Sequence, residues 1–263
     1  MEDHFNKNGS LSKLIEGFKH RPEQGEMAKD IFSAIENQTT LVAEAGTGTG
    51  KTFAYLIPAL SSKGRVIIST GTKTLQEQIY EQDIPRVKKA LGSNIQVAIL
   101  KGRANYVCHY FLNRRKKEGH FDSKYEVSDF EIIEEFVRSS QTGDLSQCDG
   151  IAETSEIWDS IVSTRDNCLG TDCEFYEKCF VAKARSRAMR ADIVVINHYL
   201  FFADIVLREL GLSELLPTSN AVLFDEAHLV PEVASLFFGE SVTTGQIIDL
   251  ARDSKVEAKE NAE

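Results

Sequence analysis

The sequence predicts an α/β fold: a parallel sheet with helices wound on both faces. Three observations carry this. Apolar, β-branched stretches alternate with helical patterns in the order β-α-β-α-β, with short turns. A glycine-rich loop, Ala43-Glu44-Ala45-Gly46-Thr47-Gly48-Thr49-Gly50-Lys51-Thr52, lies between an apolar segment and a helical one. An acidic pair, Asp225-Glu226, stands at the carboxyl end of a further apolar stretch, where sheets of this class place their ligands.

Residues 11–20 read as a short amphipathic helix with Leu11, Leu14, Ile15 and Phe18 on one face. Pro22 suits the first turn of a second helix that runs to about Asn37. Thr40-Leu41-Val42 reads as the strand entering the glycine loop, and residues 53–60 read as the helix leaving it. Arg65–Thr70 is a buried-strand pattern, followed by Gly71-Thr72-Lys73-Thr74 and a helix from Leu75 to about Leu91. Small hydroxyl residues at such a turn suit either a helix cap or the phosphates of a nucleic-acid backbone. A third strand is Gln96–Leu100. Residues 101–190 break the pattern, carry all five cysteines, and are expected to hold little apolar core of their own. Ala191–Ile196 resumes the sheet, Asn197–Phe202 leads through a loop into a helix, and Ala221–Phe224 delivers the acidic pair. The polar tail from Ala251 reads as helical, then frayed.

The loop's chemistry follows from its residue types. Glycines let backbone N–H groups turn toward a polyphosphate, and the helix that begins there directs its positive end at the same anion. Lys51 would reach the β and γ phosphates, and Thr52 would ligate Mg²⁺. Ala45 stands where the general phosphate-loop pattern has glycine; Ala-x-Thr-Gly-Thr-Gly-Lys-Thr is the version many helicases use. Asp225 would hold Mg²⁺ through water, and Glu226 would orient and deprotonate the attacking water. His228 suits a turn cap or a link between the ATP site and a nucleic-acid site. Arg21 and Gln24 lie upstream of the loop, and a glutamine amide matches the adenine edge.

The 263 residues, 42% hydrophobic, are enough for one large or two modest domains with a core. No apolar run approaches a membrane span, and Met1-Glu2-Asp3-His4 does not open a signal peptide. A cytoplasmic protein with no membrane partner is expected. The five cysteines then read as metal ligands or free thiols. Cys168, Cys173 and Cys179 are spaced x₄ and x₅, with Cys108 some sixty residues earlier. Spacing and composition leave a [4Fe–4S] cluster and zinc equally open. Cys148 reads as a free thiol in an exposed turn. The net charge is −10, but Lys101, Arg103, Arg114–Lys117 and Lys124 form one basic stretch and Lys178, Lys183, Arg185, Arg187 and Arg190 another. Each suits a solvated helix face or a polyanion footprint.

Taken together, Arg21–Gln24, Glu44–Thr52, Ser69–Thr72, Lys101–Cys108, the later cysteines, Ala191–His198 and Asp225–His228 resemble the XPD-type iron–sulfur DNA helicases of superfamily 2, in their bacterial DinG/YoaA group. The resemblance implies a RecA-like P-loop motor domain with a mainly helical iron–sulfur domain inserted in it. Residues 1–100 would form the first half of that motor domain, 101–190 the insertion, 191–235 the second half, and 236–263 the start of a truncated arch domain or a tail. It implies Cys108, Cys168, Cys173 and Cys179 as [4Fe–4S] ligands. ATP with Mg²⁺ would be bound by Arg21, Gln24 and residues 45–52, and single-stranded and forked DNA would be unwound 5′→3′ in replication or repair, with partner proteins of those processes. Helicases of this type need a second RecA-like domain, so the sequence is expected to be an N-terminal piece of a longer helicase. The alternatives are a non-catalytic DNA-binding module and a P-loop ATPase with structural zinc.

Overall fold

The computed structural model describes residues 2–13, 19–46, 48–119, 121, 123–152, 154–212, 214–240 and 243–260. Four strands form one parallel sheet: β1 (Val66–Thr70), β2 (Val97–Ile99), β3 (Ile193–Asn197) and β4 (Ala221–Phe224), in the order β2-β3-β1-β4. Before and between β1 and β2 lie α1 (Pro22–Asn37), α2 (Lys51–Ser61), α3 (Lys73–Gln78) and α4 (Ile84–Leu91). The insertion carries α5 (His109–Glu118), α6 (Lys124–Ser139), α7 (Ile157–Ile161) and α8 (Phe180–Arg190). After β3 come α9 (His198–Glu209), α10 (Val230–Phe238) and α11 (Thr244–Glu260). Among the described residues no helix is long and apolar enough to cross a membrane.

Strand alternation sorts the core into two layers, because successive side chains point to opposite faces. Val66, Ile68, Ile193 and Val195 pack with α1, α2 and α4. Ile67, Val194 and Ile196 point the other way, into Leu112, Phe130, Ile133, Ile157, Ile161 and Phe180 of the insertion and Leu200 of α9. The insertion therefore builds the second helical layer over the sheet. This corrects the expectation that residues 101–190 have little apolar core. Their apolar residues are scattered singly at helical spacing, and the four helices α5–α8 bring them together.

Two further expectations change. Thr40-Leu41-Val42 is not a strand: Val42 is 91% exposed, and β4 is the sheet edge. Three apolar residues between polar neighbours bury too little to offset the entropy of joining that edge. All four residues of β4 are accordingly only half-buried. The helix expected from Leu75 to Leu91 is present but contains a π turn at Ile79–Asp83 between α3 and α4. Pro85 has no N–H to give to an i−4 carbonyl, so the ladder shifts register just before it. Of the amphipathic segment expected at 11–20, residues 14–18 lie outside the described residues; Leu11 is fully buried in a turn.

A buried ion cluster fastens the segment between β2 and β3 to α3. Lys101, just after β2, is 4% exposed. Its Nζ pairs with Glu77 on α3 and with Asp144 of the insertion at 2.7 Å, and donates to Ser146 Oγ at 2.9 Å. Burial raises the Glu77 pKa, but the hydrogen bond and charge of Lys101 outweigh it and hold the carboxyl below its ordinary value.

Candidate nucleotide-binding site

The glycine loop is shaped by its backbone. Gly48 and Gly50 have φ of 73° and 84°, a region that side chains rarely adopt. A Cβ on Gly50 would also overlap the Gln24 amide. Gly50 caps α2, so Lys51 and Thr52 open that helix. Lys51 Nζ donates to Ala45 O at 3.1 Å, which holds the ammonium over the loop, and Thr49 Oγ1 donates to Gly46 O at 2.9 Å. Thr47 lies outside the described residues. The loop and α1 border a cleft of about 330 Å³ lined by Gln24, Ala45, Thr49 and Lys51 among others. That is within the size range of small-ligand pockets.

Arg21 and Gln24 both support the loop. Arg21 Nη1 donates to Gly48 O, and Gln24 Nε2 donates to Gly50 O at 2.8 Å. Gln24 is 6% exposed, so the amide nitrogen expected to meet adenine is here committed to the loop backbone.

The acidic pair meets the same site from β4. Asp225 N donates to Ser69 O at 2.8 Å, tying the end of β4 to β1. Tyr55 of α2, which the sequence reading passed over, donates its hydroxyl to Asp225 Oδ2 at 3.0 Å and accepts from the Thr52 side chain. One hydroxyl thus joins the two side chains expected to hold Mg²⁺. A tyrosine inside a buried apolar helix was the available signal, because its O–H needs a partner. Burial raises the Asp225 pKa; the Tyr55 hydrogen bond opposes this, and the Glu226 charge adds to it. Burial and the Asp225 charge push the Tyr55 phenol far above its usual range, so it remains a donor. Glu226 has φ of 54°, a strained backbone for a non-glycine residue, and its Oε2 lies 3.3 Å from His228 Nδ1. The site residues Lys51, Thr52, Asp225 and Glu226 are therefore gathered around one corner. Tyr55→Phe is expected to leave the fold intact and weaken Mg²⁺ binding about fivefold, the value of one hydrogen bond of about 1 kcal/mol. Titrating Mg²⁺ against nucleotide binding checks this; an unchanged midpoint would reduce Tyr55 to packing.

The cysteines occupy one region of the insertion. Cys108 caps α5 and Cys179 caps α8. The thiol of Cys108 is raised by burial and, less strongly, by the charges of Cys179 and Cys173. At Cys168, burial is outweighed by a Gly170 backbone hydrogen bond and the Arg103 guanidinium, which lower its pKa. Arg185 faces Cys168 and Cys179 as well. Four thiols beside two guanidiniums suit an anionic thiolate-ligated group in donor type. Among the described residues, however, no three His, Cys, Asp or Glu side chains close around one ion position. Cys148 corrects the sequence reading: it is 8% exposed and packs in the insertion's core, not in a solvent-facing turn.

The two basic stretches separate on structure. Arg114 pairs with Glu118, Arg115 with Glu126 and Lys116 with Glu134, so α5 is largely neutralised by its own residues and by α6. No ion pair is recorded for Lys183, Arg185 or Arg187 among the described residues. Arg185, with Arg103 and Arg165, borders a groove of about 600 Å³ whose other wall is apolar and includes Leu200 and Phe237.

Residues 22–116 match the DEAD/DEAH box helicase family. Over 253 residues, 96% of this chain, the sequence is 49% identical to the ATP-dependent DNA helicase YoaA of Escherichia coli (strain K12), covering 40% of that protein. It is 47% identical to the ATP-dependent DNA helicase YoaA of Haemophilus influenzae over 96% of this chain and 39% of that one. It is 33% identical to the ATP-dependent helicase DinG of Mycobacterium tuberculosis (strain H37Rv) over 87% of this chain and 38% of that one. The chain thus spans about 40% of the length of the curated relatives it matches.

Proposed function

Because this chain is a homologue of the N-terminal part of the YoaA and DinG helicases and carries a DEAD/DEAH box helicase domain, we propose that it forms the first RecA-like motor domain of an ATP-dependent DNA helicase. The observation that carries this reading is the corner where α2 and β4 meet, with Tyr55 bridging Thr52 and Asp225 beside Lys51.

In this reading Lys51 and the loop N–H groups bind the β and γ phosphates, and Thr52 and Asp225 hold Mg²⁺. The bound cation offsets charge on the phosphates. Glu226 takes a proton from water as its oxygen attacks the γ phosphorus, and ADP leaves with the bridging oxygen. Glu226→Gln is expected to keep Mg-ATP affinity while hydrolysis falls about 10²–10⁴-fold. Equal loss of affinity and turnover would contradict the assigned role.

Single-stranded DNA would bind at the Gly71–Thr72 turn and along the Arg103, Arg165 and Arg185 groove. The full helicase would act on forked DNA, 5′→3′, in replication or repair in the cytoplasm, with partner proteins of those processes. Cys108, Cys168, Cys173 and Cys179 would hold a [4Fe–4S] cluster, which supplies a covalent tie between α5, α8 and the loop between α7 and α8. That loop contains only two short 3₁₀ turns, at Gly170–Asp172 and Tyr176–Lys178. Cys173→Ser in anaerobically prepared protein is therefore expected to lose iron and the visible iron–thiolate absorption and to become protease-sensitive between Ser163 and Cys179. The helices of the insertion should survive on their own apolar core. Retained iron would show that Cys173 is not a ligand, and bound zinc in place of iron would favour the structural-zinc alternative.

A further inference from the structure

His198 opens α9 immediately after β3 and is fully buried. Its Nδ1 lies 2.7 Å from Ser69 Oγ. Ser69 is the fourth residue of β1 and is itself fully buried; its carbonyl accepts the Asp225 N–H. The His198 ring lies against Phe224, centroids 5.7 Å apart, and against the backbone of Asp225 and Glu226. Its Nε2 is enclosed and makes no hydrogen bond of normal geometry. Buried polar atoms in native structures are nearly always paired, so an orphan at this place calls for a reason.

The neighbourhood supplies one. Two residues beyond Ser69 is the Gly71–Thr72 turn, the candidate contact for a nucleic-acid backbone. Thr72 Oγ1 accepts the Leu75 N–H at 3.2 Å and caps α3. A Cβ on Gly71 would overlap the Leu229 side chain, in the short 3₁₀ turn that follows the acidic pair. The turn after β1 and the turn after β4 are thus in direct contact, and His198 is buried behind both. When the Ser69 hydroxyl donates to Nδ1, the ring carries its proton on Nε2, near the main chain of Asp225 and Glu226 but short of hydrogen-bond geometry with it. Glu226 meanwhile holds a strained φ of 54°. A small shift of that turn would give Nε2–H a main-chain carbonyl.

We propose that His198 is a positioning residue that couples the turn after β1 to the acidic pair: Nε2–H completes a hydrogen bond to the main chain of Asp225 or Glu226 when nucleotide and single-stranded DNA are both bound. The inference rests on the functional reading above and adds to it the residue that carries the linkage. By thermodynamic reciprocity each ligand then raises the affinity of the other by one common factor.

The test uses this chain, a fluorescent oligo-dT strand and a non-hydrolysable Mg-ATP analogue. The Kd of each ligand is measured with and without the other. Wild type is expected to show a coupling factor of about 5–150. An asparagine reaches as far as Nδ1 and keeps the Ser69 bond, whereas a glutamine extends to the Nε2 position. His198→Asn should therefore bring the factor close to unity while leaving each separate Kd within about twofold, and His198→Gln should restore it. Ser69→Ala, which frees the other side of the ring, should lower it too. A His198→Asn variant with wild-type coupling overturns the proposal, as does one that loses both affinities with its coupling factor unchanged. Wild type that binds both ligands without linkage overturns it and leaves the functional reading standing; wild type that binds neither overturns both.

Discussion

Lys51→Ala is expected to weaken Mg-ATP binding by roughly one to two orders of magnitude, with the sheet and both core layers unchanged. The ammonium is the one side-chain cation presented by the loop residues 43–52, and among the described residues Nζ donates to the loop's own Ala45 carbonyl, so its removal does not unfasten other elements. A charge-assisted hydrogen bond to a phosphate contributes about 1.5–3 kcal/mol, and 1.4 kcal/mol is a factor of ten. Calorimetric titration measures the loss, and circular dichroism checks the fold. Wild-type affinity in this variant would place the phosphates elsewhere.

The second large effect is on stability. Lys101→Met removes the cation between Glu77 and Asp144 while keeping an apolar stem of similar reach. Asp144 is 8% exposed in its side chain, so the change leaves an uncompensated charge in a nearly dry place. Breaking a buried pair by removing one partner costs about 3–5 kcal/mol. Adding Asp144→Asn should recover part of this, because the orphaned charge goes with it, and urea denaturation of both variants checks the order. Glu77 contributes a pH dependence of known sign. Its folded pKa lies below its ordinary value of 4.5, so its contribution is fully present above that pH and is lost as pH falls through the depressed value. Its partial exposure keeps that share small. A Lys101→Met chain as stable as wild type would mean that the insertion is held by its apolar layer alone.

The strands were legible because each is a short β-branched run that the core needs. Arg65–Thr70, Gln96–Leu100 and Ala221–Phe224 each contain the strand found there, and Ala191–Ile196 covers all of β3 but its last residue, Asn197. Their parallel order follows from the helices between them. The phosphate-loop and acidic-pair residues were legible as motifs because glycine freedom and carboxylate chemistry are properties of residue type. What stayed hidden depends on partners remote in sequence. Tyr55 reads as one more apolar helix residue until Asp225, 170 positions away, accepts its hydrogen bond. Cys148 reads as a polar turn until Ile133, Ile157 and Phe180 enclose that region. Arg115 and Lys116 read as a polyanion site until α6 brings Glu126 and Glu134 to them. Leu41 and Val42 read as a strand, yet strand formation needs an edge that accepts them, and a local run cannot report that.

The central claim is that the corner between α2 and β4 is a Mg-ATP site, and ligand-induced stabilisation tests it most directly. A ligand at one hundred times its Kd stabilises the state that binds it by about 2.7 kcal/mol, which for a domain of this size raises Tm by several degrees. We expect Mg-ATP to raise the Tm of the wild-type chain by that amount, Mg²⁺ alone to leave it unchanged, and Lys51→Ala to erase most of the shift at the same nucleotide concentration. An equal shift in wild type and Lys51→Ala, or none in wild type at saturating Mg-ATP, would contradict the account.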